Sequence, residues 1–424
     1  MFSRLGKYIS TAYNNYTNFK TYNNSQIDDP IDRSNHPENK YVIHKSDTNV
    51  NQSENVVNYE NGTDDEMQIE EDLPCYNETL ESSKINNQTE DIENNTTEDI
   101  VNNQTEDIVN ISSDDSNLSI SSIDVVIPDI DMDYYIKLLH EKGYVIIPNV
   151  YDKNEVENYW KEFDKWRTNV ADLEYLHNII DGNGIFKHHQ VGHQRFAWEA
   201  RTNPKILAIF KKLWNTDELV TSFDGCCFYP SYYKNNVRYW THSDQSSMKK
   251  GLNCYQSFLS LTDNCERTFI VYEGTHNYHQ HYFETMGIEE PRDWNIIDKD
   301  YLMNNHLNKQ KFLSVKAGDL VIWDSRTFHQ NTCGSINCDE ERLIQYLCYL
   351  PKHNEKNDEK QQKQRRKFFE KKRTTSHWPY PMNVVPEQPN MYNYYYPDNQ
   401  INIDYSSLPK PELDELLPEI EKLL

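Results

Sequence analysis

The chain has 424 residues and a formal net charge of −25, and only 36% of its residues are hydrophobic. This acidity argues against nonspecific binding of nucleic acid by the chain as a whole. No apolar run approaches the roughly 18 residues that a membrane span needs.

The cysteines and the two ends of the chain bear on its compartment. The eight cysteines are scattered without a CxxC pair, which favours free thiols in a reducing compartment over a disulfide framework. The first residues lack the apolar core of a signal peptide, and the last ones lack a peroxisomal signal. We therefore expect an intracellular, cytoplasmic protein.

Residues 1–122 are acidic, rich in Asn and low in complexity. They contain a short repeat of eight residues in which Thr-Glu-Asp-Ile recurs. A unit this short with one isoleucine cannot bury a core, because structural repeats need about 20 residues or more. We predict a disordered region here, with an acidic interaction arm as the alternative.

The folded part begins at about residue 123. A helix is predicted over residues 134–140, ended by Gly143 in the manner of a C′ glycine. A short strand, Tyr144–Ile147, follows. Asp152 is a candidate N-cap for a second helix that runs to about Trp166.

From about residue 220 to 350, short apolar runs alternate with polar turns. This pattern predicts that residues 123–351 form one domain of the α+β class. The domain would be mainly β, with an antiparallel β core and flanking helices. Residues 352–424 predict a charged surface helix and then a coil rich in Pro, Tyr and Asn that packs on the domain or trails from it. The last residues, from 411 onward, predict helical turns that Pro418 would break or kink.

The stretch "YWTHSDQSS" places His242 and Asp244 two positions apart. In a strand, residues i and i+2 point to the same face, so both side chains could aim at one ion. By itself, an HxD pair occurs by chance in many proteins, and a surface turn is the simpler explanation. The hypothesis of a metal site needs a third ligand.

That third ligand is His329, in the run "AGDLVIWDSRTFHQN". Ala317-Gly318-Asp319 predicts a tight turn, and the strand after it, Leu320–Asp324, continues to His329. Two histidines and one carboxylate form the facial triad that holds Fe(II) on one side and leaves the other open for O₂ and a co-substrate.

A cation completes the pattern. Arg342 begins the next predicted strand, "RLIQYLCY", and its guanidinium could bind the distal carboxylate of a keto-acid whose other end chelates the iron. Arg326 is the rival. Its odd spacing from His329 points it to the opposite strand face, which favours a structural ion pair or a substrate contact.

Two further histidine groups lie in "KHHQVGH" and "HNYHQH". Neither has cysteines at zinc spacing, so we predict loops that border the cavity rather than a second metal site.

The motifs from about residue 134 to 380 together resemble the phytanoyl-CoA dioxygenase (PhyH) family of Fe(II)- and 2-oxoglutarate-dependent oxygenases. The matching segments, in order, are "EKGYVIIPNVYDKNEV", "FAWEARTNPKILAIFKKLW", "WTHSDQ", "FIVYEGTH", "AGDLVIWDSRTFHQN", "RLIQYLCY" and "RTTSHWP". The gap from His329 to Arg342 is slightly longer than is usual in the family, a difference that the polar hairpin between them could absorb.

The resemblance implies a double-stranded β-helix of the jelly-roll or cupin type, with iron at His242, Asp244 and His329. It implies 2-oxoglutarate anchored by Arg342, with Asn331 and Gln256 as further co-substrate contacts. The implied reaction hydroxylates a small organic molecule, consumes O₂ and releases succinate and CO₂, with ascorbate as a candidate reductant. Neither the substrate nor the oligomeric state can be deduced from the residues.

Two other functions remain open. A catalytically inactive β-helix could act as a binding or scaffold protein, and a sugar-binding or isomerase-type cupin could use another metal. The intact set of ligands and the arginine argue against the first, and the second predicts no dependence on 2-oxoglutarate.

Overall fold

The computed structural model describes residues 130–170, 173–180, 182–234 and 239–424. The acidic repeat region predicted over residues 1–122 lies outside these ranges. None of the helices in the described ranges combines the length and apolar character that a membrane crossing requires. Every cysteine in those ranges is a free thiol.

The strands are short and are numbered here along the chain. They are β1 (Tyr144–Ile147), β2 (Ile185–Phe186), β3 (Leu219–Thr221), β4 (Cys226–Tyr229), β5 (His242–Ser243), β6 (Tyr255–Ser260), β7 (Phe269–Tyr272), β8 (Asn295–Ile296), β9 (Gln310–Phe312), β10 (Leu320–Asp324), β11 (His329–Asn331) and β12 (Arg342–Pro351).

The helices of the described ranges are interspersed with the strands and continue after the last strand. They span Met132–Lys142, Lys153–Asn169, Leu173–Ile180, Arg195–Thr202, Pro204–Trp214, His279–Met286, Lys299–Asn305, Glu359–Glu370, Asn390–Tyr395 and Leu417–Lys422.

The strands form two antiparallel sheets. The larger has the order β1-β10-β6-β12-β4-β2, with β3 also paired to β12, and the smaller has the order β8-β5-β11-β7-β9. Phe258 and Trp323 of the larger sheet pack with Phe269 and Val271 of the smaller one. The predicted double-stranded β-helix with flanking helices is therefore confirmed.

The predicted N-cap residue, Asp152, begins a helix in the structure. Asp152 caps the helix Lys153–Asn169 through a reciprocal capping box with Glu155, which satisfies two backbone N–H groups that the first turn leaves open. The helix runs slightly beyond the predicted end at Trp166. Its buried face carries Tyr159, Phe163 and Trp166, which pack against the larger sheet with the helices around it.

The segment after the last strand is more deeply integrated than a surface helix followed by a coil. Arg365 is fully buried, and its guanidinium donates to the carbonyls of Pro379 and Leu424 and to Asn357. Residues such as Trp378 join the buried core.

Near the end of the chain, Pro418 does not break a helix. It lies in the first turn of the helix Leu417–Lys422, where its missing N–H would have no partner in any case.

Gly143 ends the first helix and touches the turn between β10 and β11. It has a φ of 80°, and an added Cβ would lie 2.5 Å from His276 Nδ1 and 2.7 Å from Thr327 Oγ1. Its carbonyl accepts hydrogen bonds from the backbone N–H of Asp324 and from the Thr327 hydroxyl. The predicted C′ glycine therefore also secures the turn that leads to His329.

We expect Gly143→Ala to destabilise the protein more than Gly287→Ala, as measured by urea unfolding. Both glycines end a helix with a positive φ, so both variants carry a left-handed penalty of about 1–2 kcal/mol. A Cβ added at Gly287 would meet no atom within 4 Å, whereas one added at Gly143 would collide with His276 and Thr327. Equal losses of unfolding free energy would contradict this assignment.

Candidate metal centre

The two sheet partners β5 and β11 bring the predicted ligands together. His242 lies directly opposite His329 in this antiparallel pair, and Asp244 follows β5, where its N–H donates to the carbonyl of Ser325. One ligand atom from each of the three residues lies within 4.8 Å of the others. All three side chains are buried. Residues that lie more than eighty positions apart in the chain therefore form one compact, buried donor set.

Backbone carbonyls fix the orientation of both imidazoles. His242 Nδ1 lies 2.9 Å from the carbonyl oxygen of Trp240, and His329 Nδ1 lies 2.8 Å from that of Thr327. A carbonyl only accepts, so each Nδ1 must carry the hydrogen, and each Nε2 then presents a lone pair. The Nε2 atoms lie 3.6 Å (His242) and 3.1 Å (His329) from the carboxylate oxygens of Asp244.

Gln256 orients the carboxylate. Its Nε2 donates to Asp244 Oδ2 at 3.0 Å. An outer hydrogen bond of this kind holds a metal ligand in place. The family resemblance implies a co-substrate contact for Gln256, and in the structure its hydrogen bond goes to Asp244, a predicted metal ligand.

The electrostatics of the three residues suit a cation. Burial alone would raise the pKa of Asp244, but the neighbouring imidazoles of His242 and His377 hold that pKa well below its usual value. Burial and the neighbouring His242 lower the pKa of His329. Two neutral nitrogen donors and one carboxylate are the donor set of a non-haem Fe(II) centre, and a set of three leaves coordination positions open. The residues present therefore fit an iron ion.

Arg342 is a buried cation with unused donors. It is fully buried at the start of β12, where its guanidinium lies over the Phe258 ring and one nitrogen contacts Cys227 Sγ at 3.5 Å. Its Nε and Nη2 are buried and have no hydrogen-bond partner in the described part of the chain. A buried charge without a partner is costly, so the guanidinium is suited to a carboxylate supplied by a ligand.

Polar side chains connect the ligands with this arginine. Asn331 lies two residues beyond His329 on β11, and its Nδ2 donates to the Tyr346 hydroxyl at 2.9 Å. Tyr346 lies on the same strand as Arg342, whose positive charge acts to lower the tyrosine pKa against the stronger effect of burial. Asn331 Oδ1 is buried and unpartnered among the described residues. His329, Asn331, Tyr346 and Arg342 therefore form a polar row.

Arg326 is engaged elsewhere. Its Nε and Nη2 donate to the two carboxylate oxygens of Asp324 at 2.9 and 2.6 Å. The structural ion pair favoured from the sequence is present, although the spacing argument for it does not apply. The chain turns over residues 325–328 between β10 and β11 and passes from the larger sheet to the smaller one.

The other histidine groups do not gather as metal ligands. Among the described residues, the one cluster of His, Cys, Asp and Glu with converging donors is that of His242, Asp244 and His329. In the two remaining groups, His193 contacts the carbonyl of Arg373 and His279 that of Gln245. These contacts support structural roles.

Aromatic rings surround His242. Trp240 stacks on its imidazole at 4.9 Å between ring centroids, and Trp294 lies at 5.5 Å on a side chain that is 46% exposed. No motif in the sequence singles out Trp294. His377 acts electrostatically on Asp244. No spacing in the sequence links either residue to the ligands.

Part of the chain resembles a known protein family. Residues 139–332 match the family model of phytanoyl-CoA dioxygenase (PhyH). The chain is 28% identical over 236 residues to Ava biosynthesis cluster protein O of Aspergillus versicolor, a match that covers 50% of this chain and 76% of that protein.

Similar solved structures include the epimerase SnoN in complex with Fe³⁺, α-ketoglutarate and nogalamycin RO, at 19% identity and a TM-score of 0.39, covering 52% of this chain and 83% of SnoN. They also include HygX of Streptomyces hygroscopicus with nickel and 2-oxoglutarate bound, at 14% identity and a TM-score of 0.37, covering 52% of this chain and 87% of HygX. The region that matches the family model, residues 139–332, contains His242, Asp244 and His329.

We expect Gln256→Leu to weaken metal binding by about 10- to 100-fold, because Asp244 loses the hydrogen bond that orients it. Isothermal titration with Mn(II) measures the change. Gln280→Leu, which removes an exposed amide bonded to Glu284, is the matched control and should bind Mn(II) as the wild type does. Equal affinity in both variants would show that Gln256 does not support the metal ligands.

Proposed function

We propose that this protein is an Fe(II)- and 2-oxoglutarate-dependent dioxygenase that hydroxylates a small organic molecule. The observation that carries the proposal is the pairing of an open His-Asp-His donor set with a buried, unpaired guanidinium. The first suits a divalent metal with free positions, and the second suits the far carboxylate of a dicarboxylic keto-acid.

In this proposal His242, Asp244 and His329 hold the iron, with their orientations fixed by Trp240, Gln256 and Thr327. Iron with bound 2-oxoglutarate and O₂ would supply the oxidising power, so that one oxygen atom enters succinate and the other the hydroxylated product, with loss of CO₂. The metal does the oxidation, and the protein supplies binding and orientation.

The remaining residues would position the co-substrate. Arg342 would bind its distal carboxylate with Nε and Nη2, which are the two donors that lack partners in the described chain. Asn331 and Tyr346 lie between that arginine and His329 and could contact the chain of the keto-acid. The burial of this whole row keeps bulk water away, which strengthens each of these polar interactions.

The first test is spectroscopic. Anaerobic addition of Fe(II) and 2-oxoglutarate to the purified protein should produce the weak visible charge-transfer band of the chelated keto-acid, and His329→Ala should abolish it. His353→Ala, which changes an exposed histidine paired with Glu218, is the control. A wild-type protein without this band would contradict the proposal and favour a binding module or a cupin with different chemistry.

A second test separates the two candidate arginines. We expect Arg342→Met to raise the dissociation constant for 2-oxoglutarate by roughly 10- to 100-fold, as expected when a charged hydrogen-bonding partner is lost. Arg326→Lys should have little effect, because that residue is bonded to Asp324. Titration of Zn(II)-loaded protein measures both values. A larger loss in the Arg326 variant would reverse the assignment.

A further inference from the structure

His377 lies beyond the family-matched region, in the segment after the last strand. Hydrogen bonds fix the chain just before it, because Thr375 N–H donates to the carbonyl of Phe223 and the Thr375 hydroxyl accepts from the N–H of Phe223, each at 3.0 Å. On its other side, Trp378 is buried with Cys254 and Cys348. The backbone is therefore held firmly against the domain on both sides of His377.

The segment that carries His377 lies beside the loop that follows Asp244. Lys249 Nζ lies 4.0 Å from the centroid of the Trp378 ring and 2.6 Å from Asp293, whose Oδ1 accepts a hydrogen bond from the N–H of Ser246. Burial lowers the pKa of His377, the carboxylates of Asp244 and Asp293 raise it, and His329 and His242 lower it further. The net direction of the pKa is downward, and a neutral imidazole carries one N–H and one lone pair. The Nε2 of His377 is buried without a hydrogen-bond partner in the described ranges.

His377 is nevertheless not part of the ligand set. The cluster whose donor atoms lie within 4.8 Å of one another contains only His242, Asp244 and His329 among the described residues. In the described part of the chain, Gln256 donates to Asp244, and backbone carbonyls bind both ligand imidazoles.

An unpaired polar nitrogen in such a position is explained by a molecule that binds beside the metal. Leaving a buried donor or acceptor unsatisfied costs about 1–3 kcal/mol. Arg342 shows the same deficiency, but its contacts are Cys227, Phe258 and the row through Tyr346 rather than any neighbour of His377. Buried polar atoms without a partner in the described ranges therefore occur at His377, at Asn331 and at the Arg342 guanidinium.

We propose that His377 is a co-substrate-binding residue whose imidazole N–H donates to an oxygen at the metal-binding end of 2-oxoglutarate. Arg342 would hold the other end. This inference rests on the function proposed above. It assigns the segment after the last strand a direct part in the site, although that segment lies outside the matched family region.

The test compares 2-oxoglutarate binding in four Zn(II)-loaded proteins by isothermal titration. His377→Phe keeps a flat ring without a donor and should raise the dissociation constant about tenfold. His377→Gln keeps an N–H donor and should recover most of the affinity. His353→Phe makes the same change at an exposed position and should bind as the wild type does. Zn(II) affinity should stay within about twofold throughout.

Each other outcome has a distinct meaning. Unchanged 2-oxoglutarate affinity in His377→Phe would overturn the inference alone and would assign the imidazole to the substrate or to structure. A parallel loss of Zn(II) affinity would also overturn it, because His377 would then be a ligand. A wild-type protein that binds Zn(II) but not 2-oxoglutarate would instead refute the proposed function. If His377→Phe does not fold, as judged by near-UV circular dichroism, His377→Leu takes its place.

Discussion

The candidate site depends on the register between β5 and β11. Because His242 is opposite His329 in this antiparallel pair, two residues that are far apart in the chain share one face of the smaller sheet. A shift of the strand pairing by one residue would turn one imidazole to the other face of the sheet, and the three donors would no longer converge. The carbonyls of Trp240 and Thr327, which bind the two Nδ1 atoms, come from residues two positions before each histidine. The same local arrangement therefore sets both the position and the tautomer of each ligand.

A second constraint is the charge buried between the sheets. Arg342 is surrounded by Phe258, Cys227 and Tyr346 and lacks a carboxylate partner among the described residues. A fold selected for stability alone has little use for such a group, since a buried charge is costly unless it is paired. Arg326 shows the contrast, because its Nε and Nη2 both donate to Asp324. In Arg342 the same two donors have no partner among the described residues.

Much of this architecture could be predicted from local signals. The C′ glycine Gly143, the capping residue Asp152 and the strand Tyr144–Ile147 are encoded by a few neighbouring residues, and the HxD pair with His329 is visible as a motif. Local signals do not specify the contacts that long-range packing decides. Gln256 binds Asp244, and the residues around Trp378 are core rather than surface coil. Parity from His329 also could not predict the direction of Arg326, because the chain turns between β10 and β11.

The position of β12 has a consequence for how the domain can be divided. This strand lies between β6 and β4 in the middle of the larger sheet, yet the family match stops at residue 332, before it begins. A recombinant fragment cut at that boundary would split the sheet into two halves with exposed backbone edges, a recognised cause of aggregation. Any shortened protein made for crystallisation therefore has to retain the chain well past Pro351.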